Sequence, residues 1–167
     1  PTARNGALVE ASARLIQYLD ADDELFPEKI ERTLRAQSGM PKRTLAVCHR
    51  EVVGGGTGEP DQVVRLSPRE DPLILALEQI VHTAAPVYPR ALLEQVGAYR
   101  PDLSCCQDYD LHLRIALAGW SYGVVPETLF RVNRRLGSLS SNLAKVYAVQ
   151  VQLWEELIAS VRETPDH

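Results

Sequence analysis

The chain has 167 residues, of which 45% are hydrophobic and 24% charged, a composition typical of a globular protein that argues against disorder. The formal net charge of −4 gives no general attraction to nucleic acid or to anionic lipid, so we expect no nucleic-acid partner. No apolar stretch reaches the roughly 18 residues of a membrane helix, and no signal peptide is evident at the start, so we expect a cytoplasmic protein.

Helices and strands alternate along the chain, which predicts an α/β domain. In chain order, the predicted elements are a helix at 6–13, a strand at 14–19, a helix from Pro27 to Gly39, strands at 44–53 and 62–66, helices at 72–82, 89–96 and 107–119, strands at 122–125 and 128–133, and a long helix at 141–163. The glycine-rich stretch 54–60 predicts a hairpin turn, because no Gly-Lys-Ser/Thr follows it as in a phosphate-binding loop.

The three cysteines are too sparse for a disulfide framework. Cys48, Cys105 and Cys106 lack the CxxC spacing of zinc sites, and adjacent residues rarely meet the geometry of a disulfide bond. The sequence therefore predicts reduced thiols.

An acidic turn follows the first predicted strand. Asp20, Asp22, Asp23 and Glu24 repel one another, and a bound Mg²⁺ or Mn²⁺ would compensate them because hard oxygen ligands suit these ions. The alternative is a solvated turn that favours the N-terminus of the following helix. An EF-hand calcium loop fits poorly, because a count from Asp20 places Leu25 where the sharp turn needs glycine.

Two blocks of the sequence carry an ordered set of motifs. The first block, residues 3–31, has an Ala-Arg-Asn motif followed by a predicted helix, a short strand, Leu-Asp-x-Asp-Asp and a proline. The residues that form this pattern are Ala3, Arg4, Asn5, Leu19, Asp20, Asp22, Asp23 and Pro27. With them the block resembles family 2 glycosyltransferases of the GT-A fold. Ala7 and Ala13 stand where the family usually has glycines.

The second block, residues 88–120, resembles an Arg-x-x-Leu-x-x-x-Gly-x-Phe motif followed by a Glu-Asp-Tyr-Asp-Leu-x-x-Arg helix. Its matching residues are Arg90, Leu93, Gly97, Asp108, Asp110, Leu111 and Arg114. Gln107 and Tyr99 depart from the usual glutamate and phenylalanine. A last segment is similar to Leu-Tyr-Arg-x-His, with Arg131 kept and Asn133 in the histidine position.

The resemblance covers roughly residues 3–141 and implies a Rossmann-like, GT-A mixed sheet with flanking helices. It divides the chain into a partial catalytic domain, residues 1–140, and a C-terminal helix, residues 141–167, that packs on the domain or on a partner. In this family a nucleotide-binding βαβ unit precedes the Ala-Arg-Asn motif. We therefore expect this chain to be a fragment, a truncated copy or a part of a longer protein.

The resemblance also implies site residues. Arg4, Asn5 and Asp20 would bind a nucleotide-diphosphate donor, most simply a UDP-sugar, while Asp22 and Asp23 would hold Mn²⁺ or Mg²⁺. A saccharide or a lipid-linked molecule would be the acceptor. Two further possibilities stay open: that the chain forms a homo-oligomer, and that it associates peripherally with the inner face of the membrane.

Asp108 is the candidate base that takes the proton from the acceptor hydroxyl, because it lies at a helix start where the dipole favours a carboxylate. Taken alone, the same position is an ordinary N-cap. His112, four residues on, could orient this base or lie on the surface. Asp110 and Arg114 are spaced to pair along the helix.

The predicted function is an inverting glycosyltransferase in polysaccharide or glycoconjugate synthesis, with Arg131 and Asn133 as supporting residues. The alternative is a non-catalytic, truncated relative that serves as an interaction module, favoured by Gln107, by Asn133 and by the missing first unit. Nucleotidyl transfer is a third interpretation, but the sequence shows no early glycine-rich loop bearing lysine or arginine.

Overall fold

The computed structural model describes residues 1–54, 61–134 and 142–163, and six helices and six strands lie within them. In chain order these are α1 (Thr2–Glu10), β1 (Leu15–Ile16), β2 (Glu24–Leu25), α2 (Lys29–Ser38), β3 (Thr44–Val53), β4 (Gln62–Val64), α3 (Pro72–Glu78), β5 (Tyr88–Pro89), α4 (Arg90–Gln95), α5 (Gln107–Leu117), β6 (Ser121–Asn133) and α6 (Leu143–Glu163). The predicted turn at 54–60 lies almost wholly outside the described residues, as do both ends of the segment 141–167.

The main sheet has four strands in the order β2-β6-β3-β4. Its two central strands, β3 and β6, run parallel from Thr44 opposite Ser121 to Val53 opposite Asn133, and both edge strands are antiparallel to their neighbours. A second, two-stranded sheet joins β1 to β5. This arrangement confirms the predicted α/β fold with a mixed sheet and flanking helices.

Strand β3 has the predicted bounds, 44–53. Its residues from Thr44 to His49 are all buried, which agrees with a central strand covered on both faces. Strand β6 corrects a prediction, because one continuous strand replaces the two expected at 122–125 and 128–133. Val125 of β6 lies opposite Cys48, and Thr128 lies opposite His49, the next residue of β3. The extra residues of β6 form a bulge, which accommodates Pro126 because proline has no N–H to donate.

The parallel connection from β3 to β6 passes through α3, α4 and α5. Seven residues of α5 are buried, including the consecutive run Tyr109–Leu113. The helix is therefore enclosed more fully than its amphipathic pattern predicted. Gly97 and Gly119 adopt positive φ angles of 77° and 78° just beyond α4 and α5, which explains why these helices end there.

Three further predictions change in detail. Helix α1 begins at Thr2 rather than at residue 6, and the strand predicted at 14–19 is reduced to two residues. Strand β2 was not predicted; it forms inside the acidic segment because Glu24 and Leu25 pair with Arg131 and Phe130 of β6. The pairing strand lies more than 100 residues away in the sequence, so no local pattern indicates β2.

Helix α6 confirms the long C-terminal helix and packs on the domain through one side. Leu153 is buried, and the Trp154 indole N–H donates to the Tyr109 hydroxyl at 2.7 Å. Among the described helices, none is both long enough and apolar enough to cross a bilayer.

Candidate functional site

Two segments that are distant in sequence meet at the C-terminal side of β1. The first is the acidic turn, closed by a hydrogen bond from the Asp23 N–H to the Asp20 carbonyl at 3.0 Å. The second is the segment that precedes β5 and carries His82. Ligand atoms of Asp20, Asp23 and His82 lie within 4.8 Å of one another, the one such group of three or more His, Cys, Asp or Glu side chains among the described residues.

The end of β6 fixes the acidic turn. The Asn133 backbone N–H donates to Asp23 Oδ1 at 3.2 Å, and its side-chain amide donates to the Asp22 carbonyl at 2.6 Å. The Asp23 side chain is only 3% exposed. Burial raises its pKa to about 6, against the Asn133 hydrogen bond, and the charges of Asp20 and Asp22 raise it further.

His82 was not predicted from the sequence. Its Nε2 lies 3.6 Å from Asp23 Oδ2, and its ring packs on Phe130 with 5.4 Å between centroids. Burial lowers the pKa of His82, so the imidazole is neutral near pH 7. The Ala84 N–H points at Nδ1 at 3.3 Å, which leaves the proton on Nε2, facing Asp23.

Arg4, on α1, connects the acidic turn to the start of α5. Its guanidinium forms an ion pair with Asp20 and lies 3.4 Å from the Gln107 side-chain carbonyl at the start of α5. It also stacks over the Tyr99 ring, 5.0 Å from the centroid. Arg4 therefore places one positive charge against the acidic cluster.

Asp108 lies in the first turn of α5 and faces the same region. The Thr83 N–H, adjacent to His82, donates to Asp108 Oδ2 at 3.1 Å. The other oxygen, Oδ1, is buried and has no hydrogen-bond partner within the described part of the chain. Burial raises the pKa of Asp108, while the charge of Arg4 and the hydrogen bond from Thr83 oppose that rise.

The ligand atoms of Asp20, Asp23 and His82 are suitable for binding a divalent cation. Asp20 and Asp23 supply hard oxygen ligands of the kind that Mg²⁺ and Mn²⁺ prefer, and the metal would offset the repulsion that raises the Asp23 pKa. His82 would add an imidazole nitrogen only if its proton moved from Nε2 to Nδ1, at the expense of the Ala84 contact. Asp22, predicted as a metal ligand, does not belong to this group.

Two residues that were predicted to belong to the site, Asn5 and His112, make contacts within the fold. The Asn5 side-chain amide forms two hydrogen bonds with the Tyr99 backbone, at 2.7 and 3.1 Å, and so connects α1 to the segment that follows α4. The His112 ring is fully enclosed, with its two nitrogens 3.1 and 3.0 Å from the hydroxyls of Tyr88 and Tyr122. Because burial lowers its pKa to about 3, His112 is a neutral core residue that meets tyrosines rather than Asp108.

Arg131 lies across the sheet rather than in the acidic cluster. Its guanidinium is 3.0 Å from both Glu51 and Glu24 and stacks near the Phe26 ring. It therefore holds β2, β6 and β3 together. The structure thus brings together Arg4, Asp20, Asp23, His82 and Asp108, while Asn133 shapes the turn.

No family model and no curated protein matches this chain. Solved structures of Staphylococcus aureus TarS do match its fold. The structure of TarS residues 1–349 has a TM-score of 0.62 at 17% identity, covering 79% of this chain and 39% of that one. A longer TarS structure gives 0.61 at 15% identity, covering 80% and 24%, and the 1–349 complex with UDP gives 0.59 at 15%, covering 80% and 39%.

These comparisons show a glycosyltransferase-like fold. The chain spans less than half of each of these TarS structures, so the comparison covers only part of their architecture.

Proposed function

We propose that this chain is part of an inverting family 2 glycosyltransferase that moves a sugar from a nucleotide-diphosphate donor to an acceptor hydroxyl. One observation carries the proposal: Asp108 has a buried carboxylate oxygen that lacks a hydrogen-bond partner among the described residues, beside the cluster formed by Arg4, Asp20 and Asp23. A buried acceptor atom of this kind is costly unless a ligand completes its hydrogen bonding.

The acidic cluster is the proposed donor side. The TarS complex with UDP, a structure of the same fold, supports a nucleoside diphosphate as the ligand to test first. Asp20 and Asp23 would hold a divalent cation, which when bound would act as a Lewis acid toward the diphosphate. Arg4 restrains Asp20 and lies close enough to Asp108 for their charges to interact.

Asp108 is the proposed general base. The acceptor hydroxyl would donate its hydrogen bond to Oδ1 and pass its proton there as the acceptor oxygen bonds to the anomeric carbon and the diphosphate departs. The Thr83 N–H fixes the carboxylate through Oδ2, so Oδ1 keeps one orientation. A raised pKa strengthens the base, while the charge of Arg4 and the Thr83 N–H favour its ionised form. Attack from the side opposite the leaving group inverts the anomeric configuration.

A non-catalytic role is the second candidate, because the acidic turn already satisfies much of its own charge and hydrogen bonding. Arg4 neutralises Asp20, and Asn133 occupies both the Asp22 carbonyl and Asp23 Oδ1. A turn that is stabilised in this way does not need a metal to fold. Binding measurements distinguish the two candidates.

The test is calorimetric titration of UDP into the chain with and without Mn²⁺. We expect binding that requires Mn²⁺ and weakens at least about tenfold in Asp23→Asn, since one charged ligand is lost. Asp102→Asn is the matched control, because this exposed carboxylate pairs with Arg100 on the surface. Asp108→Asn should retain UDP but lose transfer from a UDP-sugar. Equal UDP affinity in Asp23→Asn and the unchanged chain would refute the donor site.

A further inference from the structure

Arg50 lies on the face of the main sheet that carries the site. In the β3–β6 register it is opposite Phe130, whose ring packs against His82. The next pair, Glu51 opposite Arg131, is joined by an ion pair. Because successive side chains of a strand point to opposite faces, the Arg50 guanidinium and the Glu51–Arg131 pair lie on different sides of the sheet.

Within the described residues, the Arg50 guanidinium has one hydrogen bond, from Nη1 to the Ile80 carbonyl at 3.0 Å. No carboxylate lies within 4.0 Å of it in residues 1–54, 61–134 and 142–163. By contrast, Arg4, Arg114 and Arg131 each contact an aspartate or glutamate. A guanidinium carries five N–H donors, and leaving most of them without acceptors in a half-buried position is unfavourable.

Charges around Arg50 come from several elements. The carboxylates of Asp108 on α5 and Asp23 in the acidic turn attract it, while the Arg134 guanidinium, just after β6, repels it. Burial lowers the pKa of Arg50 and is the largest influence on it. A half-buried guanidinium that keeps unused N–H donors, and that pairs with no carboxylate in the described residues, favours an anionic ligand.

We infer that Arg50 forms a subsite that binds a phosphate group of a substrate, beside the segment 80–83 whose Thr83 N–H donates to the Asp108 carboxylate. The planar, forked guanidinium suits the oxygens of a phosphate. In the terms of the proposed function, the phosphate belongs either to the donor diphosphate or to a phosphorylated acceptor. The identity of the substrate rests on that proposed function, but phosphate binding itself does not require transfer activity.

The test is calorimetric titration of inorganic phosphate and of methyl phosphate into the full chain, without nucleotide or metal. We expect saturable binding that weakens at least about tenfold in Arg50→Gln, in line with loss of a charge-assisted hydrogen bond. Arg35→Gln is the matched control, since Arg35 is exposed and pairs with Glu31 on its own helix. Its phosphate affinity should equal that of the unchanged chain.

A second variant keeps the test decisive if Arg50→Gln fails to fold. Asp108→Asn removes a repelling charge and should tighten phosphate several-fold, as expected for a charge within range of the subsite. If phosphate competes with UDP, the subsite binds the donor diphosphate. If phosphate and UDP bind at the same time, the subsite binds the phosphate of the acceptor. Absence of saturable phosphate binding, or equal affinity in both arginine variants, would overturn the inference even if UDP binds.

Discussion

Substitution of Lys29 tests how much a buried positive charge lowers the free energy of unfolding. It is the first residue of α2 and is completely buried, with its amine bonded to the Gln17 side-chain carbonyl. A positive charge at a helix N-terminus opposes the helix dipole. Burial lowers the pKa of Lys29 from 10.5 to about 8. The substitution Lys29→Met keeps the side-chain length and removes the charge.

The magnitude follows from the difference between the folded and unfolded pKa values. The folded pKa is the lower one, so protonation of Lys29 opposes folding, and the cost is complete below pH 8 and vanishes above 10.5. At pH 7 this cost is about 3 kcal/mol, and at pH 9.5 it is about 1 kcal/mol. Loss of the hydrogen bond to Gln17 costs about 1 kcal/mol at any pH. We therefore expect Lys29→Met to stabilise the chain by about 2 kcal/mol at pH 7 and to be nearly neutral at pH 9.5.

The assay is urea denaturation of both proteins at several values between pH 7 and 9.5. The difference between them is the quantity to follow, because other groups titrate in the same range. The pKa of Cys48 is raised by burial to about 11, so stability from this thiol is lost in both proteins as pH rises above 9. Lys42→Met, at an exposed position, should show no such trend. If the difference in free energy of unfolding between the two proteins stays constant with pH, the buried charge of Lys29 does not carry the expected cost.

Two further substitutions test the interior of α5. Arg114→Met should lower the free energy of unfolding by about 3–5 kcal/mol, because it leaves the buried Asp110 carboxylate without the guanidinium 2.6 Å away; a loss below about 1 kcal/mol in urea denaturation would contradict this. Tyr122→Phe removes a hydroxyl that lies 3.0 Å from His112 Nδ1 and 2.9 Å from its carbonyl, so we expect a loss of about 1–2 kcal/mol. Calorimetry should show unchanged UDP affinity for this variant, and a shifted affinity would place His112 in the site after all.

Local patterns predicted those features that depend on neighbours in sequence. The β-branched run of β3 gave the correct bounds, and the i, i+4 spacing of Asp110 and Arg114 correctly predicted their ion pair. Local patterns failed at β2 and at the bulge in β6, because both depend on pairing between distant strands. His112 was misjudged for a related reason: its partners, Tyr88 and Tyr122, lie on strands that only folding brings to α5.

The residue pattern specifies the chemical groups that are available: an acidic turn after a short strand, and an aspartate in the first turn of a helix nearly 90 residues later. Which of these groups meet depends on the three-dimensional fold. The segment before β5 places His82 against Asp23 and the Thr83 N–H against Asp108, and no pattern in its sequence indicates either contact. Local patterns are insufficient here because the pKa and the reactivity of a carboxylate depend on burial and on charges within a few ångströms. Those neighbours come from every part of the chain.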